Sequence, residues 1–435
     1  MSFTTVAFFV FLLAGIVVYY VLPKNVQWIW LLILSYIYYF TFSIKASLFM
    51  VFATVTIYFG GIWLQNIQNT GDRYLKDNKE TLSREDKKAY KESLRRKKRW
   101  VLFLILLLDF GMLAVVKYSN FAIENINSVL GLMGKEPIGL LGMGLPLGIS
   151  FFTFQSVSYA IDVYQGKYEC EKNIFKMGLF VSFFPQLLQG PIGRYDRLGK
   201  QLYSGHSFNL KNVEYGLQRI GWGLFKKVVI ADRISIGVNT VFNNVSSYSG
   251  LYFILAALMF TVQIYCDFSG YSDIARGTAK VLGFRLMVNF DRPFFSHTLK
   301  EFWRRWHISL SSWFAEYLYI PLGGNRKGKL KKYRNNLITF AVSGLWHDAA
   351  YTFILWGFVH GIYLVIEDIV KAEYAKAKDI WHISNKADIF FKIISPLITF
   401  SFVAFAFILF RANSISDAGY IFTHLLWDFR KWHTA

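Results

Sequence analysis

Long apolar blocks, separated by short polar ones, set the rhythm of this chain. Residues 3–22, 26–42 and 46–64 read as three membrane-spanning helices. Each is near the roughly 20 residues that cross a hydrocarbon core of about 30 Å. The linkers are so short that the three must pack as antiparallel neighbours. The most polar stretch follows, 65–99, with TLSREDKKAYKESLRRKKRW inside it. Ser83, with Asp86 three residues on, has the form of a helix start, and Lys and Arg crowd the end that abuts the next span. An excess of Lys and Arg faces the cytoplasm, so 65–99 is read as a cytoplasmic basic helix on the membrane surface, with the N-terminus outside. A fourth span covers 100–118 and holds Asp109, as a structural hydrogen-bond partner or a cavity-lining group. Residues 119–142, rich in Asn and Gly, are read as outer surface.

From Gly144 the texture changes. LPLGISFFTFQSVSYAIDVYQG is apolar but interrupted by Pro146, Gly148, Ser150, Gln155 and Asp162, and MGLFVSFFPQLLQGPIGRY by Pro185 and the pair Gly190-Pro191. Irregular backbone at membrane depth is tolerated only inside protein or beside water. Segments 144–162 and 182–194 are therefore expected to be re-entrant or broken helices around a cavity. Residues 217–241 begin as an amphipathic interfacial helix with Lys226, Lys227 and Arg233. A span over 251–268 runs into YCDFSGYSDIARG, where Asp267, Tyr271 and Asp273 mark its end. Asn289, Arg292 and Pro293 form a turn-like context, and a last span covers 390–410. No repeat, heptad or linker divides the chain, which is read as one integral membrane domain over 1–435.

The stretch 301–361 organises the rest. His347 sits in LITFAVSGLWHDAAYTFILWGFV, long enough to enter a bilayer, and a titratable group there is costly enough to mark a functional site. His307 follows Arg304 and Arg305 between Trp303, Trp306 and Trp313. A basic loop, 325–334, lies between the histidines. At 1.5 Å per residue, His347 lies roughly 20 Å along a helix from the loop, and His307 roughly as far before it. The two can reach similar depth from one cytoplasmic turn. The alternative is a pair of helix-packing histidines satisfied by backbone carbonyls.

Composition agrees with a polytopic membrane protein: 54% of the 435 residues are hydrophobic and only 17% charged. A net charge of +20 suggests nucleic acid at first, but cytoplasmic loops beside anionic lipid headgroups account for it better, and no nucleic-acid partner is expected. Two cysteines, Cys170 and Cys266, exclude a disulfide framework, and without CxxC or HExxH no metal is expected. The first apolar run lacks a basic leader and a cleavage site, so it is read as retained. No Gly-x-Ser-x-Gly elbow or Walker motif occurs. A histidine in a dry site can move a proton from a hydroxyl to a leaving group. The residues alone are compatible with an acyltransferase or a proton-coupled transporter.

Six segments in order, LPLGISFFTFQSVSYAIDVY, FFPQLLQGPIGRY, YCDFSGYSDIARG, FWRRWHISLSSWF, YLYIPLGGNR and GLWHDAAYTFILWGFVHG, closely resemble the membrane-bound O-acyltransferase family. The resemblance runs from about residue 118 to the end. It is strongest to the branch serving O-acetylation of alginate, peptidoglycan and cellulose, with teichoic-acid D-alanylation as a more distant relative. It implies an all-α polytopic fold, a ring of tilted helices around a central tunnel. It also implies acyl transfer from acetyl-CoA in the cytoplasm to an extracellular or cell-wall polysaccharide. The family's invariant histidine falls on His347 and its second characteristic polar residue on His307. Where the family has Gly after that histidine, this chain has Asp348.

On this reading His347 is the general base and His307 orients or polarises. Trp303, Trp306 and Trp346 shape the tunnel or else simply pack, and Arg304 and Arg305 hold a donor phosphate or carboxylate, or else a lipid headgroup or salt bridge. Asp267, Tyr271 and Asp273 brace the fold or touch substrate, and Gln155 faces the tunnel. Expected partners are membrane lipids and an extracytoplasmic SGNH-type transferase or esterase. The rival within the family is D-alanyl transfer from a phosphopantetheine thioester on a cytoplasmic carrier protein. The rival outside it is a transporter for polysaccharide or lipid-linked intermediates.

Overall fold

The computed structural model describes all residues except 143, 147, 382–384 and 427–435, with side chains described outside 375–391. Among the described residues it is all-helical. Two compact units emerge, Met1–Gln218 with Ala275–Leu286, and Arg219–Ile274 with Met287–Ala435. Among the described residues, five helices carry apolar stretches long enough to cross a membrane, in Ile44–Asp77, Arg84–Leu132, Leu251–Val281, Tyr351–Tyr374 and Lys392–Arg411. The chain is a polytopic membrane protein.

In the first unit, α1 (Val6–Val21) and α2 (Gln27–Phe40) are shorter than the spans expected over 3–22 and 26–42. Pro23 forces its predecessor out of the helical region, and Leu22 is extended at φ −73°, ψ 145°. Sixteen and fourteen residues give about 24 and 21 Å of helix, less than a full hydrocarbon core. Helices α3 (Ile44–Asp77) and α4 (Arg84–Leu132) correct the reading of 65–99 as a separate surface helix. Each runs unbroken from its apolar part into this basic stretch. The two pair there: the rings of Tyr74 and Tyr90 meet at 4.4 Å, tilted by 34°, Lys98 donates to Gln68 at 2.8 Å, and Leu94 fills the space beside Gly71 that a Cβ would occupy. Ser83 caps α4 as expected, accepting the N–H of Asp86 at 3.0 Å. The same helix absorbs much of the stretch read as outer surface, continuing to Leu132.

The expected break in 144–162 lies ahead of the helix rather than within it. Gly148 turns the chain at φ 73°, and a Cβ there would fall 2.4 Å from the Leu187 carbonyl oxygen. From it α5 (Ile149–Gln165) runs unbroken and buried almost throughout. Segment 182–194 is broken as expected. After α6 (Ile174–Ser182), Phe183 leaves helical geometry, α7 (Phe184–Leu187) makes one turn, and a turn over 188–190 leads through residues without regular structure to α8 (Tyr195–Ser204). Buried side-chain amides hold this break: Gln155 donates to the Phe180 carbonyl and accepts from Gln186 at 2.8 Å. The void between the two segments is about 10 Å³, room for one water.

The second unit takes over within α9 (Leu210–Leu224), continues through a π-helical turn, Phe225–Ala231, into α10 (Asp232–Phe242), and then enters α11 (Leu251–Val281). Helix α11 corrects the span expected to stop near Asp267, continuing through the acidic positions because basic partners meet them. Asp267 pairs with Lys227 at 2.5 Å, and Asp273 with Lys226 at 2.6 Å and Arg219 at 2.8 Å. Two short helices, α12 (Leu299–Arg305) and α13 (Ile308–Phe314), lead to α14 (Lys329–His347) and α15 (Tyr351–Trp381). The last two form a hairpin whose backbones touch. A Cβ on Gly344 would lie 2.1 Å from the Phe353 carbonyl oxygen, and one on Gly357 2.1 Å from that of Phe340, the close approach that small residues permit between membrane helices. Helices α16 (Asn385–Arg411) and α17 (Ile415–His424) complete an aromatic core with Phe302, Trp306, Trp356 and Phe407.

Candidate active site

His347 is the last residue of α14, delivered there by an unbroken helix from Lys329. Its ring meets Trp346 at 5.0 Å, Trp356 at 5.2 Å and Phe410 at 5.3 Å. The neighbouring Asp348 is exposed and extended, and its carboxylate accepts the Ala349 N–H at 2.8 Å.

His307 arrives differently from the expected helical run. It is the hinge between α12 and α13, in the left-handed region at φ 44°, ψ 54°. That conformation is uncommon for a residue with a Cβ and costs of order 1–3 kcal/mol, so the surroundings must impose it. They do so through Asn289, which is 1% exposed. Its backbone carbonyl accepts the Ile308 N–H at 2.9 Å, and its Oδ1 accepts the Ser309 N–H and hydroxyl at 3.0 Å each. Oδ1 also lies 3.3 Å from His307 Nδ1. A backbone N–H can only donate, which fixes the amide orientation, and an amide oxygen can only accept, so Nδ1 carries the proton. In the neutral ring Nε2 then holds the lone pair. Phe268 packs edge-on against the ring at 4.6 Å and Trp346 lies at 6.2 Å. One indole, that of Trp346, thus stands against both histidines.

The same unit holds a cavity of about 840 Å³, and neither histidine is among its lining residues. Ile308, next in sequence to His307, and Ser343, one helical turn before His347, are among its walls, with Trp303, Phe314, Phe340 and Leu364. Lys300, Arg304, Lys332 and Lys371 also line it, with Glu367 and Asp368 as counter-charges. Arg304 therefore reaches the cavity, whereas Arg305 pairs with Glu301 at 2.7 Å. Trp303 is a wall residue. Trp306 is 4% exposed, stacked on Phe302 and edge-on to Phe290.

Asp267, Tyr271 and Asp273 belong to the ionic cluster on α11. Lys227 lies 5.4 Å from the Tyr271 ring centre and bridges Asp267 and Asp232. Burial alone would lower the Lys227 ammonium's pKa, but the carboxylates of Asp232 and Asp267 outweigh it and hold it above its usual range. Gln155 lies in the other compact unit. Sequence reasoning missed Asn289 as the partner of His307, although it had marked its turn. It also passed over His360 and Trp356 in ILWGFVHG, where the cost of an intramembrane histidine applies as it does to His347. No group of three or more His, Cys, Asp or Glu suited to a metal occurs among the described residues.

The model of the membrane-bound O-acyltransferase family matches residues 51–380. The chain is 40% identical over 337 residues to a probable alginate O-acetylase of Pseudomonas syringae pv. tomato, an alignment covering 78% of this chain and 62% of that protein. It is 32% identical to a peptidoglycan O-acetyltransferase of Helicobacter pylori, with 95% of this chain and 77% of the relative covered. A teichoic acid D-alanyltransferase of Streptococcus thermophilus is 29% identical, over 73% and 76% respectively. The chain thus spans about three fifths of the length of the alginate O-acetylase it matches.

Proposed function

The chain belongs to the membrane-bound O-acyltransferase family, and from that premise we propose that it moves acetyl groups from cytoplasmic acetyl-CoA to an extracellular or cell-wall polysaccharide. The observation that carries this reading is the pairing of His307 and His347 about Trp346, with the histidines' near neighbours in sequence, Ile308 and Ser343, lining a cavity that has basic side chains on its wall. The basic loop, 325–334, contributes Asn325 and Lys332 to that cavity, and the excess of Lys and Arg argues for the cytoplasmic side. Lys300, Arg304, Lys332 and Lys371 suit the phosphates of the donor. The apolar walls beyond them suit its thioester arm.

His347 takes the proton of the acceptor hydroxyl as its oxygen attacks the thioester carbonyl carbon, and returns it to the departing thiolate. His307, with its tautomer set by Asn289, is the orienting partner, while the single proton of the hydroxyl goes to His347. The Trp side chains keep the site dry, which strengthens both interactions. The names of the relatives support acetyl as the group and carbohydrate as the acceptor. An SGNH-type protein outside the membrane is the expected partner.

Inverted membrane vesicles test this reading. External acetyl-CoA should release free thiol and place acetyl esters on enclosed polysaccharide, and His347→Ala should abolish both. Turnover only with a phosphopantetheinyl carrier protein would establish D-alanyl transfer instead. Polysaccharide flux with no ester formed, unaffected by loss of either histidine, would establish a transporter.

A further inference from the structure

Beyond the two histidines assigned above lies a third. His360, on α15, is 0% exposed, and neither ring nitrogen has a hydrogen-bond partner among the described residues. Its ring is edge-on to Trp303 and Trp356, each at 5.0 Å, and those two indoles are 5.8 Å apart. The indole N–H groups of Trp303 and Trp356 are likewise buried without partners. Four of the buried ring nitrogens left unmet thus fall on three rings in mutual contact. Burying a donor and leaving it unmet costs about 1–3 kcal/mol, so a cluster of them is poorly explained as packing.

The cluster sits between two parts of the site. Trp303 is a wall of the cavity. Trp356 meets the ring of His347 at 5.2 Å on its other side. A neutral histidine brings one donor and one acceptor, and each indole brings one donor, so donors outnumber acceptors three to one. The chemical match to such a set is an oxygen that only accepts. Donors held in a dry site before the reaction, aimed at developing negative charge, are the physical basis of an oxyanion hole.

We propose that His360 is a further residue of the transfer site, donating with the indole N–H groups of Trp303 and Trp356 to the carbonyl oxygen of the acyl group in transit. This assignment rests on the acyl-transfer reading. The hydroxyl oxygen bonds to the carbonyl carbon, the hydroxyl proton passes to His347, and the carbonyl π pair moves onto the oxygen held by the cluster. As that pair returns, the C–S bond breaks and the thiolate takes the proton from His347.

The test uses the full chain in inverted membrane vesicles with acetyl-CoA as probe, reading thiol release per inserted molecule. His360→Phe keeps the ring and its packing but removes both nitrogens. It should lower the maximal rate about 10²- to 10³-fold while leaving the half-saturating acetyl-CoA concentration near that of the parent. His360→Gln restores a donor and should recover at least about tenfold of that loss. A purely structural role predicts that His360→Phe is the better tolerated of the two. A His360→Phe rate within about threefold of the parent, with His347→Ala silent, overturns the assignment. Parental activity in His347→Ala would instead sink the acyl-transfer reading and this assignment with it. Should His360→Phe fail to insert, Trp303→Phe combined with Trp356→Phe carries the test: a comparable loss of maximal rate supports the cluster, and a parental rate overturns it.

Discussion

Asn289 Oδ1 lies 3.3 Å from His307 Nδ1 while holding the backbone and hydroxyl of Ser309. A single buried amide thereby sets both the tautomer of the histidine and the left-handed backbone on which it stands. Removing the amide should therefore damage function through the histidine before it damages the fold.

Asn289→Ala should lower acyl transfer per inserted molecule by about tenfold, since the imidazole loses its fixed proton position. His307→Ala should lower it further. His307→Asn should insert at least as well as His307→Ala, because Asn tolerates positive φ better. The check is acetyl ester content of the polysaccharide divided by membrane-inserted protein. Asn289→Ala with unchanged transfer would dissociate the amide from the reaction.

His347→Ala should reduce transfer by about 10²- to 10⁴-fold, the usual contribution of a general base, with near-normal insertion. If His347 only packs helices, protein level and total transfer should instead fall in proportion. Quantitative immunoblotting beside the ester assay separates these outcomes.

Asp273→Ala should act on the amount of folded protein. It strips the buried Lys226 ammonium of its carboxylate, leaving Ser269 at 2.9 Å as its polar contact. Breaking such a pair costs about 3–5 kcal/mol. Thermal unfolding in detergent should register the loss, and the surviving molecules should turn over at the parental rate. A lowered rate per molecule with unchanged thermal stability would move Asp273 from bracing to chemistry.

Gly344→Ala should be among the most harmful small substitutions in the hairpin of α14 and α15. The added methyl falls on the Phe353 carbonyl, and overpacking of this kind costs about 1–3 kcal/mol. Gly111→Ala, whose Cβ meets nothing within 4 Å, is the matched control. Equal melting temperatures for the two variants would contradict the tight crossing.

A cysteine at Lys88 should resist an impermeant thiol reagent in intact cells and react after the membrane is opened. Ready labelling in intact cells would reverse the orientation argued from the basic stretch.

Much of this was legible from residue type and position. The apolar blocks located the spans in α3, α4, α11 and α16, because transfer into hydrocarbon depends mainly on composition and length, while α1 and α2 fell short of the spans expected there. Ser83 and Asp86 announced the start of α4, and Pro185 with Gly190-Pro191 the break after α6. What escaped is what depends on partners distant in sequence. The acids of α11 read as a helix end because their neutralising Lys226, Lys227 and Arg219 lie some 40 to 54 residues away. Arg304 and Arg305 look alike in sequence, yet only Glu301 decides that Arg305 is tied down. The His307 hinge could not be read from periodicity, since a single left-handed residue leaves no pattern.

The paired length of α3 and α4 has a practical side. The 49 residues of α4 amount to about 74 Å of continuous helix, more than twice the thickness of a hydrocarbon core. The Tyr74–Tyr90 ring contact and the Gly71 contact join its basic part to α3. Small membrane proteins resist single-particle imaging because nothing outside the micelle fixes their orientation. This mast is a ready fiducial: a rigid helical domain spliced in register at 78–82 would break no buried contact described here and would give each particle a recognisable handle.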